Sequence, residues 1–385
     1  MVYKLSEEHE LIKQSAKELA EKEIAPVAEK IDAEEIYPRD LLTKLAEYGF
    51  MGMTIDEKYG GTGTDFLSYI VALEEIAKAS GTVATIMMVH NSMVGAILNQ
   101  FAPEAIKEEY LPSLASGEKI GAFALSEREA GSVVSEMKTF AEKKGAVYEI
   151  NGIKSYVVSA GQADVYLVVA IDKETKEPII AIVDKDAKGL GIGKEYKTLG
   201  LKGISMKDIL LKNVQVPTER VITENVKNII RRALDIGRVS VGAIGVGLAQ
   251  IAIDESVQYA NMRKQFGRLI GKMGAIQDYI GDIAIKNEAA RQLVYHAASV
   301  FEDEYTFHIK AAIAKAFATE VSAEATKWAI RIHGGIGYTK DRPIERFARD
   351  SRGLLYIWDT TDVLKAIVAR NLLGYDEEEE APFPV

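Results

Sequence analysis

The 385-residue chain contains no cysteine. This absence excludes disulfide bonds, thiolate nucleophiles, iron–sulfur ligation and cysteine zinc sites. Histidine is scarce too, with 5 residues that stand apart from one another, such as His9, His90 and His296. An isolated histidine is more often structural than catalytic, so we expect no metal site.

Lysine and arginine form no basic run, and the net charge is -10. Proteins that bind the phosphate backbone need a basic stripe, so we expect no nucleic-acid partner. We find no apolar stretch of the ~20 residues that a membrane span requires. The first residues also lack the basic and apolar regions of a signal peptide. We therefore expect a soluble, cytoplasmic protein.

What is present is ample apolar material, 48% of the residues, in a chain long enough for two or three packed units. Helical spacing dominates residues 1–118, β-branched runs dominate 119–225, and helical spacing returns over 226–385, which end in an acidic tail. The predicted fold class is α+β, with a helical domain, a β-domain and a second helical domain in that order.

Local signals refine this outline. Ser6 followed by Glu7 and Glu8 predicts a helix start, because a serine side chain caps free amide groups and acids favour the first turn. Asn151-Gly152 between two β-branched runs predicts a tight hairpin. Small residues from Gly242 to Ala249 predict a helix face that allows close packing, either in the core or between subunits.

Three stretches carry a resemblance to a known family. They are Phe123–Glu127 with Ala130-Gly131-Ser132, Arg263–Gly267 after a helix containing Leu234–Arg238, and His333–Tyr338 with Pro343–Arg346. In this order and spacing, they resemble the acyl-CoA dehydrogenases over nearly the whole chain. The resemblance implies an N-terminal helical domain, a middle antiparallel β-domain and a C-terminal four-helix bundle.

The resemblance also implies an FAD-dependent oxidoreductase that acts on the CH–CH bond of a short or medium acyl-CoA. Such enzymes remove a proton beside the thioester and pass a hydride to flavin N5. The implied FAD-binding residues are Phe123, Leu125, Ser126, Tyr156, Val158, Arg263, Phe266, Arg331, Gly334, Gly335, Thr360 and Asp362. The implied substrate-binding residues are Ser132 on the CoA arm, with Asp235 and Arg238 on the pantetheine or the active-site loop.

Particular roles follow from the resemblance at the far end of the cofactor. Arg263 is expected at the FAD pyrophosphate, where a guanidinium fork suits two phosphate oxygens. Phe266 is expected beside the adenine, and Gly334 and Gly335 against the FAD of a neighbouring subunit. An electron-transfer flavoprotein as acceptor and a homo-oligomer, usually a tetramer, are implied as well.

The chain departs from the family at the catalytic base. The usual glutamate of an I-Y-E-G-T segment is replaced by Trp358, and the following glycine by Asp359. Some members carry the base at the position of Gly237, which has no side chain to serve. Asp359 is therefore the candidate base, and the alternative is that it caps the following helix.

Three functions remain open at this point. The first is α,β-dehydrogenation of an acyl-CoA with Asp359 as base. The second is a flavoprotein of the same fold with altered chemistry, such as an acyl-CoA reductase or a desulfinase-like member. The third is a non-catalytic subunit that pairs with an active homologue.

Overall fold

The structure is a computed structural model that describes residues 4–131 and 136–375. Its first helix begins as the sequence predicts: Ser6 Oγ accepts the amide of His9, and His9 Nδ1 accepts the amide of Ser6. Seven helices precede the sheet: α1 (Glu7–Leu19), α2 (Ala25–Glu34), α3 (Arg39–Glu47), α4 (Phe66–Ala79), α5 (Gly81–Met88), α6 (Ala96–Phe101) and α7 (Glu104–Ala115). The π-helical segments Ala20–Ile24 and Val89–Gly95 join α1 to α2 and α5 to α6.

The middle of the chain forms one eight-stranded sheet with the order β6-β7-β3-β2-β4-β5-β8, and β1 pairs with β4. Its strands are β1 (Gly121–Ala124), β2 (Phe140–Lys144), β3 (Val147–Val157), β4 (Val165–Asp172), β5 (Pro178–Asp184), β6 (Leu190–Glu195), β7 (Lys207–Pro217) and β8 (Val221–Ile222). Most pairings are antiparallel, as predicted. The two exceptions are β1 and β2, which both run parallel to β4.

The predicted hairpin at Asn151-Gly152 is wrong, because β3 runs straight through these two residues. The turn lies earlier, at Gly145, between the paired residues Lys144 and Val147. Gly152 instead marks a register shift between β3 and β7, and an added Cβ would lie 2.4 Å from Thr139 Oγ1. A glycine in a strand interior can mark a bulge or a close approach as well as a turn.

The C-terminal domain is helical. Its helices are α8 (Val226–Met262), α9 (Gly274–Ser299), α10 (Glu304–His333), α11 (Ile344–Leu354) and α12 (Thr361–Leu373), with the small hairpin β9 (Lys264–Gln265) and β10 (Arg268–Leu269) after α8. Helices α8, α9 and α12 pack against α10, and α8 also packs against α4. The small-residue face explains that contact, because an added Cβ at Gly247 would lie 2.4 Å from the carbonyl oxygen of Glu74.

Two helical segments of the described chain, Gly81–Phe101 and Val226–Met262, are long and apolar enough to cross a membrane. The absence of such stretches inferred from the sequence was therefore wrong. All of the apolar window in the first segment and 89% of it in the second are buried inside the protein. Burial of this extent is typical of core helices.

Candidate active site

The segment between α11 and α12 contains two consecutive residues with unusual backbone conformations. Trp358 has φ 60° and Asp359 has φ 151°. Residues with a Cβ adopt such angles at a cost of order 1–3 kcal/mol each, and they do so where the surroundings fix them. Asp359 occupies a position that is glycine in the family pattern, so the aspartate is strained where glycine would not be.

Arg238 holds the Asp359 carboxylate from below. Its guanidinium is fully buried on α8, and Nε and Nη2 lie 2.9 and 2.8 Å from Asp359 Oδ2. Nη1 donates to Asp235 Oδ1 over 2.7 Å, and Asp235 also accepts from Nδ1 of His308. Burial opposes the charge on Arg238, but Asp359 and Asp235 outweigh it and raise its pKa. The Asp359 side chain, 6% exposed, is therefore a partner in a buried ion-pair network.

A second buried cation fixes the same residue through its backbone. Lys315 of α10 is fully buried, and its Nζ donates to the carbonyl oxygen of Asp359 over 2.6 Å. Burial lowers the pKa of Lys315 to about 7, although the nearby Asp359 carboxylate acts in the opposite direction. The strained backbone at Asp359 is thus fixed at both its side chain and its carbonyl group.

The Trp358 indole lies between the helices and the sheet. Its Nε1 is 3.4 Å from Met88 Sδ, and its ring packs edge-on against Phe123, with the centroids 6.1 Å apart. A Cβ added at Gly237 would lie 3.2 Å from the indole Cδ1 and 3.0 Å from Met93 Sδ. The indole therefore covers both positions at which family members carry a catalytic base.

The alternative role for Asp359, as the cap of α12, is wrong. Thr360 is the N-cap residue, and its side chain accepts the amide of Val363. Thr360, predicted to bind FAD, therefore has a structural role as well. The next hydroxyl, Thr361 Oγ1, is buried and has no hydrogen-bond partner among the described residues.

The residues expected around the flavin ring lie on two adjoining segments. Phe123 lies in β1, and Leu125 and Ser126 follow the end of that strand. The amide of Ser155 on β3 donates to the Ser126 carbonyl over 2.8 Å. Tyr156, with φ 59°, is half-exposed and packs against Tyr196, with the ring centroids 4.5 Å apart and the ring planes tilted by 32°. The Phe123–Trp358 contact joins these segments to the strained loop.

Val158 also lies near the core rather than at a polar contact. It is half-buried and packs against the main hydrophobic cluster. Its side chain has no hydroxyl, so Val158 can contact a ligand only through apolar packing.

The residues expected at the adenine end are exposed. Phe266 is 93% exposed at the tip of the β9–β10 hairpin, beside Arg263, whose side chain is also exposed. Tyr259 stacks on His333, with centroids 4.4 Å apart, which brings the end of α8 next to the Gly334-Gly335 pair. An added Cβ at either glycine meets nothing within 4 Å, so this surface is open to a ligand or a second subunit.

Two other predicted residues, Arg331 and Asp362, lie elsewhere. Arg331 packs over the rings of Tyr279 and Trp328, each with its guanidinium carbon 5.2 Å from the ring centroid. Asp362 is exposed in the first turn of α12. Ser132 lies outside the described residues. Within residues 4–131 and 136–375, no group of three or more acidic or histidine side chains is arranged to hold a metal ion.

These positions are compatible with FAD. The open glycine pair allows close backbone approach, and the exposed Phe266 offers a stacking surface. Arg263 offers a cation, and Thr361 offers a hydroxyl that has no partner among the described residues. Ser126 and Tyr156 border the opposite end. Sequence reasoning missed Thr361, Lys315 and the contact between Trp358 and Gly237; only the adjacency of Trp358 and Asp359 pointed towards them.

Three family models match the chain in order. They are "Acyl-CoA dehydrogenase, N-terminal domain" over residues 6–118, "middle domain" over 122–214 and "C-terminal domain" over 227–373. The chain is 37% identical to "Acyl-CoA dehydrogenase, short-chain specific" of Clostridium acetobutylicum, covering 96% of this chain and 99% of that one. It is 36% identical to "Acryloyl-CoA reductase (NADH)" of Anaerotignum propionicum, covering 97% and 96%.

Solved structures give the same picture. Butyryl-CoA dehydrogenase from Megasphaera elsdenii superposes with a TM-score of 0.94 at 34% identity, over 97% of this chain and 100% of that one. A chain described under "Electron transferring flavoprotein of Acidaminococcus fermentans" gives 0.94 at 36% identity, over 97% and 100%. An acyl-CoA dehydrogenase from Bacillus anthracis complexed with FAD gives 0.92 at 30%, over 96% and 67%.

Proposed function

The chain belongs to the acyl-CoA dehydrogenase family, and on that premise we propose that it reduces the Cα=Cβ bond of a short α,β-unsaturated acyl-CoA. The enzymes of this family are FAD flavoproteins, and reduced FAD supplies a hydride from its N5 atom. The observation that carries the proposed direction is the pair of residues at the base position. Trp358 offers an indole there, and the Asp359 carboxylate is bound to Arg238.

The two directions of the reaction place different demands on that position. Dehydrogenation needs an acceptor for the α-proton, and a positioned base contributes ~10²- to 10⁴-fold to the rate. An indole does not accept this proton, and the paired carboxylate of Asp359 would have to leave its buried cation to do so. Reduction adds a hydride to Cβ and a proton to Cα, so no proton has to be removed and solvent can supply the added proton. Reduction driven by an electron donor can therefore proceed without a side-chain base, whereas dehydrogenation needs an acceptor for the α-proton.

The chain's own residues have defined roles in this proposal. Ser126, Tyr156 and Thr360 would hold the ring end of FAD, and Arg263 and Phe266 the phosphate and adenine end. Arg238 and Lys315 keep the Asp359 backbone fixed, and this holds the Trp358 indole over Gly237. The indole fills the space over Gly237.

The names of two relatives favour a reductase and an electron-carrying partner. One relative is named for the reduction of acryloyl-CoA with NADH, and another is named "Caffeyl-CoA reductase-Etf complex subunit CarC", from Acetobacterium woodii. We propose an electron-transfer flavoprotein as the electron donor. We also propose a homotetramer, in which a neighbouring subunit covers the exposed Phe266 and the open Gly334-Gly335 surface.

Anaerobic half-reactions test the proposal. The purified protein should be yellow. After photoreduction, acryloyl-CoA or crotonyl-CoA should reoxidise its flavin within seconds. Butyryl-CoA should bleach the oxidised flavin at least ~100-fold more slowly, because the base is replaced. The Asp359→Asn variant, which keeps the shape and one acceptor oxygen, should change the reoxidation rate by less than about tenfold.

The exposed Asp40 provides a matched control, since Asp40→Asn removes a carboxylate from the first turn of α3 without touching Arg238. Rapid bleaching by butyryl-CoA that falls ~100-fold or more in Asp359→Asn alone would establish dehydrogenation with Asp359 as the base. A protein that stays colourless with added FAD would instead indicate the non-catalytic subunit. Either result would overturn the proposal.

A further inference from the structure

A buried ion pair lies directly behind the segment that borders the flavin. Lys154 is fully buried on β3, and its Nζ donates to the carbonyl oxygen of Leu125 over 2.8 Å and to Glu127 Oε1 over 2.9 Å. The sulfur of Met137 is the third neighbour, at 3.7 Å. Lys154 therefore binds the residues on both sides of Ser126.

The partner carboxylate is also fully engaged. Glu127 Oε1 accepts the amide of Thr139 over 2.9 Å, and Oε2 accepts the amide of Lys138 over 2.7 Å. Between the two anchored residues, the Ser126 carbonyl accepts the amide of Ser155, which precedes Tyr156 on β3. The backbone from Leu125 to Glu127 is thus held by hydrogen bonds at each of its three residues.

A buried ion pair of this kind adds little to the stability of a fold. Burial lowers the pKa of Lys154 to about 8, against the pull of Glu127. Buried ion pairs are often no more stabilising than apolar side chains of similar size, because both charges lose their hydration. An apolar pair would fill the same space but could not hold the carbonyl of Leu125. The geometry therefore favours a role in positioning over a role in stability.

We propose that Lys154 is a positioning residue: by binding Leu125 and Glu127, it sets the orientation of the Ser126 backbone and hydroxyl that face the flavin. The inference rests on the proposed FAD site and deepens it. Lys154 acts through Ser126 and not by touching the cofactor. Its removal should therefore change how tightly and at what potential FAD is held, beyond any effect on folding.

Two variants separate positioning from stability. Lys154→Met leaves Glu127 buried without its cation and should lower the stability strongly. Lys154→Met with Glu127→Gln removes both charges and should recover most of the unfolding midpoint. Both variants should bind FAD about tenfold or more weakly, since hydrogen bonds from charged donors have effects of that size. The flavin midpoint potential of the double variant should also shift from that of the wild type.

A matched control is available in the helical domain. Partly buried Arg291 pairs with the buried Glu74 and links α9 to α4, and Arg291→Met should lower stability without changing FAD affinity or potential. A double Lys154 and Glu127 variant with wild-type FAD affinity and potential would overturn the proposal. So would an equal loss of FAD affinity in Arg291→Met.

Hydrogen exchange of the apoprotein keeps this test separate from the proposed function. The Ser155 amide, bonded to Ser126, should be protected in the wild type and should exchange at least tenfold faster in the double variant. If the wild type binds no FAD, the proposed function is refuted. The hydrogen-exchange measurement would still show whether Lys154 fixes the segment Leu125–Glu127. Unchanged protection of the Ser155 amide would refute the positioning role.

Discussion

Replacing Asp359 by glycine or by alanine should give an unusual order of stabilities. Both changes remove the carboxylate that binds Arg238 through Nε and Nη2, at 2.9 and 2.8 Å. Both also leave Lys315 bound to the backbone carbonyl, because that contact needs no side chain. The two variants therefore differ almost entirely in the backbone conformation required at φ 151°.

The size of the difference follows from opposing effects. Loss of one partner from a buried ion pair costs about 3–5 kcal/mol in either variant. Alanine keeps a backbone strain of order 1–3 kcal/mol, and glycine releases it. Glycine also loses about 0.5–1 kcal/mol relative to alanine through the flexibility of the unfolded chain. The glycine variant should therefore be the more stable of the two by about 1 kcal/mol.

Urea unfolding of the two variants measures this difference, from the midpoint and slope of each transition. Asp362 is the control, because it lies in the first turn of α12 with ordinary helical geometry. There the order should reverse, with Asp362→Ala more stable than Asp362→Gly by about 1 kcal/mol. If alanine were the more stable residue at both positions, the strain at Asp359 would be refuted.

Three further predictions concern the same region. Gly237→Ala should lower the free energy of unfolding by about 1–3 kcal/mol, because its Cβ would lie 3.0 Å from Met93 Sδ and 3.2 Å from the indole of Trp358. In a Trp358→Ala background the loss should be smaller, because only the contact with Met93 remains, and additive losses in urea unfolding would contradict this. Burial lowers the pKa of Lys315 from 10.5 to about 7. The unfolded chain therefore binds this proton more tightly than the folded protein does, and the free energy of unfolding should rise as the pH increases from about 7 to 10.5. Lys315→Met should reduce that rise, and an unchanged pH profile would show that Lys315 titrates normally. Thr360→Ala should destabilise the protein by about 1 kcal/mol through loss of the α12 cap, and an unchanged urea midpoint would exclude that cap.

Patterns that depend on neighbouring residues were readable from the sequence. The Ser6 cap needs only the next turn of helix, and the structure contains it. The switch from helical to β spacing and back reflects which faces are buried, so the order of the three domains followed from periodicity alone. The three motifs, which begin at Phe123, Arg263 and His333, identified the family together because their order and spacing match it, and no motif was sufficient alone.

The wrong hairpin prediction at Asn151-Gly152 shows why a pattern of a few neighbouring residues is not sufficient. This dipeptide is compatible with a tight turn and with a bulge, and the choice depends on the strand that pairs with it. Here β7 pairs along both halves of β3, and Thr139 approaches Gly152 closely, so the chain continues straight. Nothing within a few residues of Gly152 encodes either neighbour.

For the candidate active site, the sequence by itself determined that Trp358 and Asp359 stand at the I-Y-E-G-T segment, and it predicted that the usual base is replaced. It left open whether Asp359 is a base, a cap or a structural anion. The structure shows that its carboxylate pairs with Arg238, 121 residues away, and that its carbonyl accepts from Lys315 on another helix, which favours the structural anion. The physical reason is that the role of a carboxylate depends on the charges and the burial around it. Those are set by packing between distant segments, which only the tertiary fold brings together.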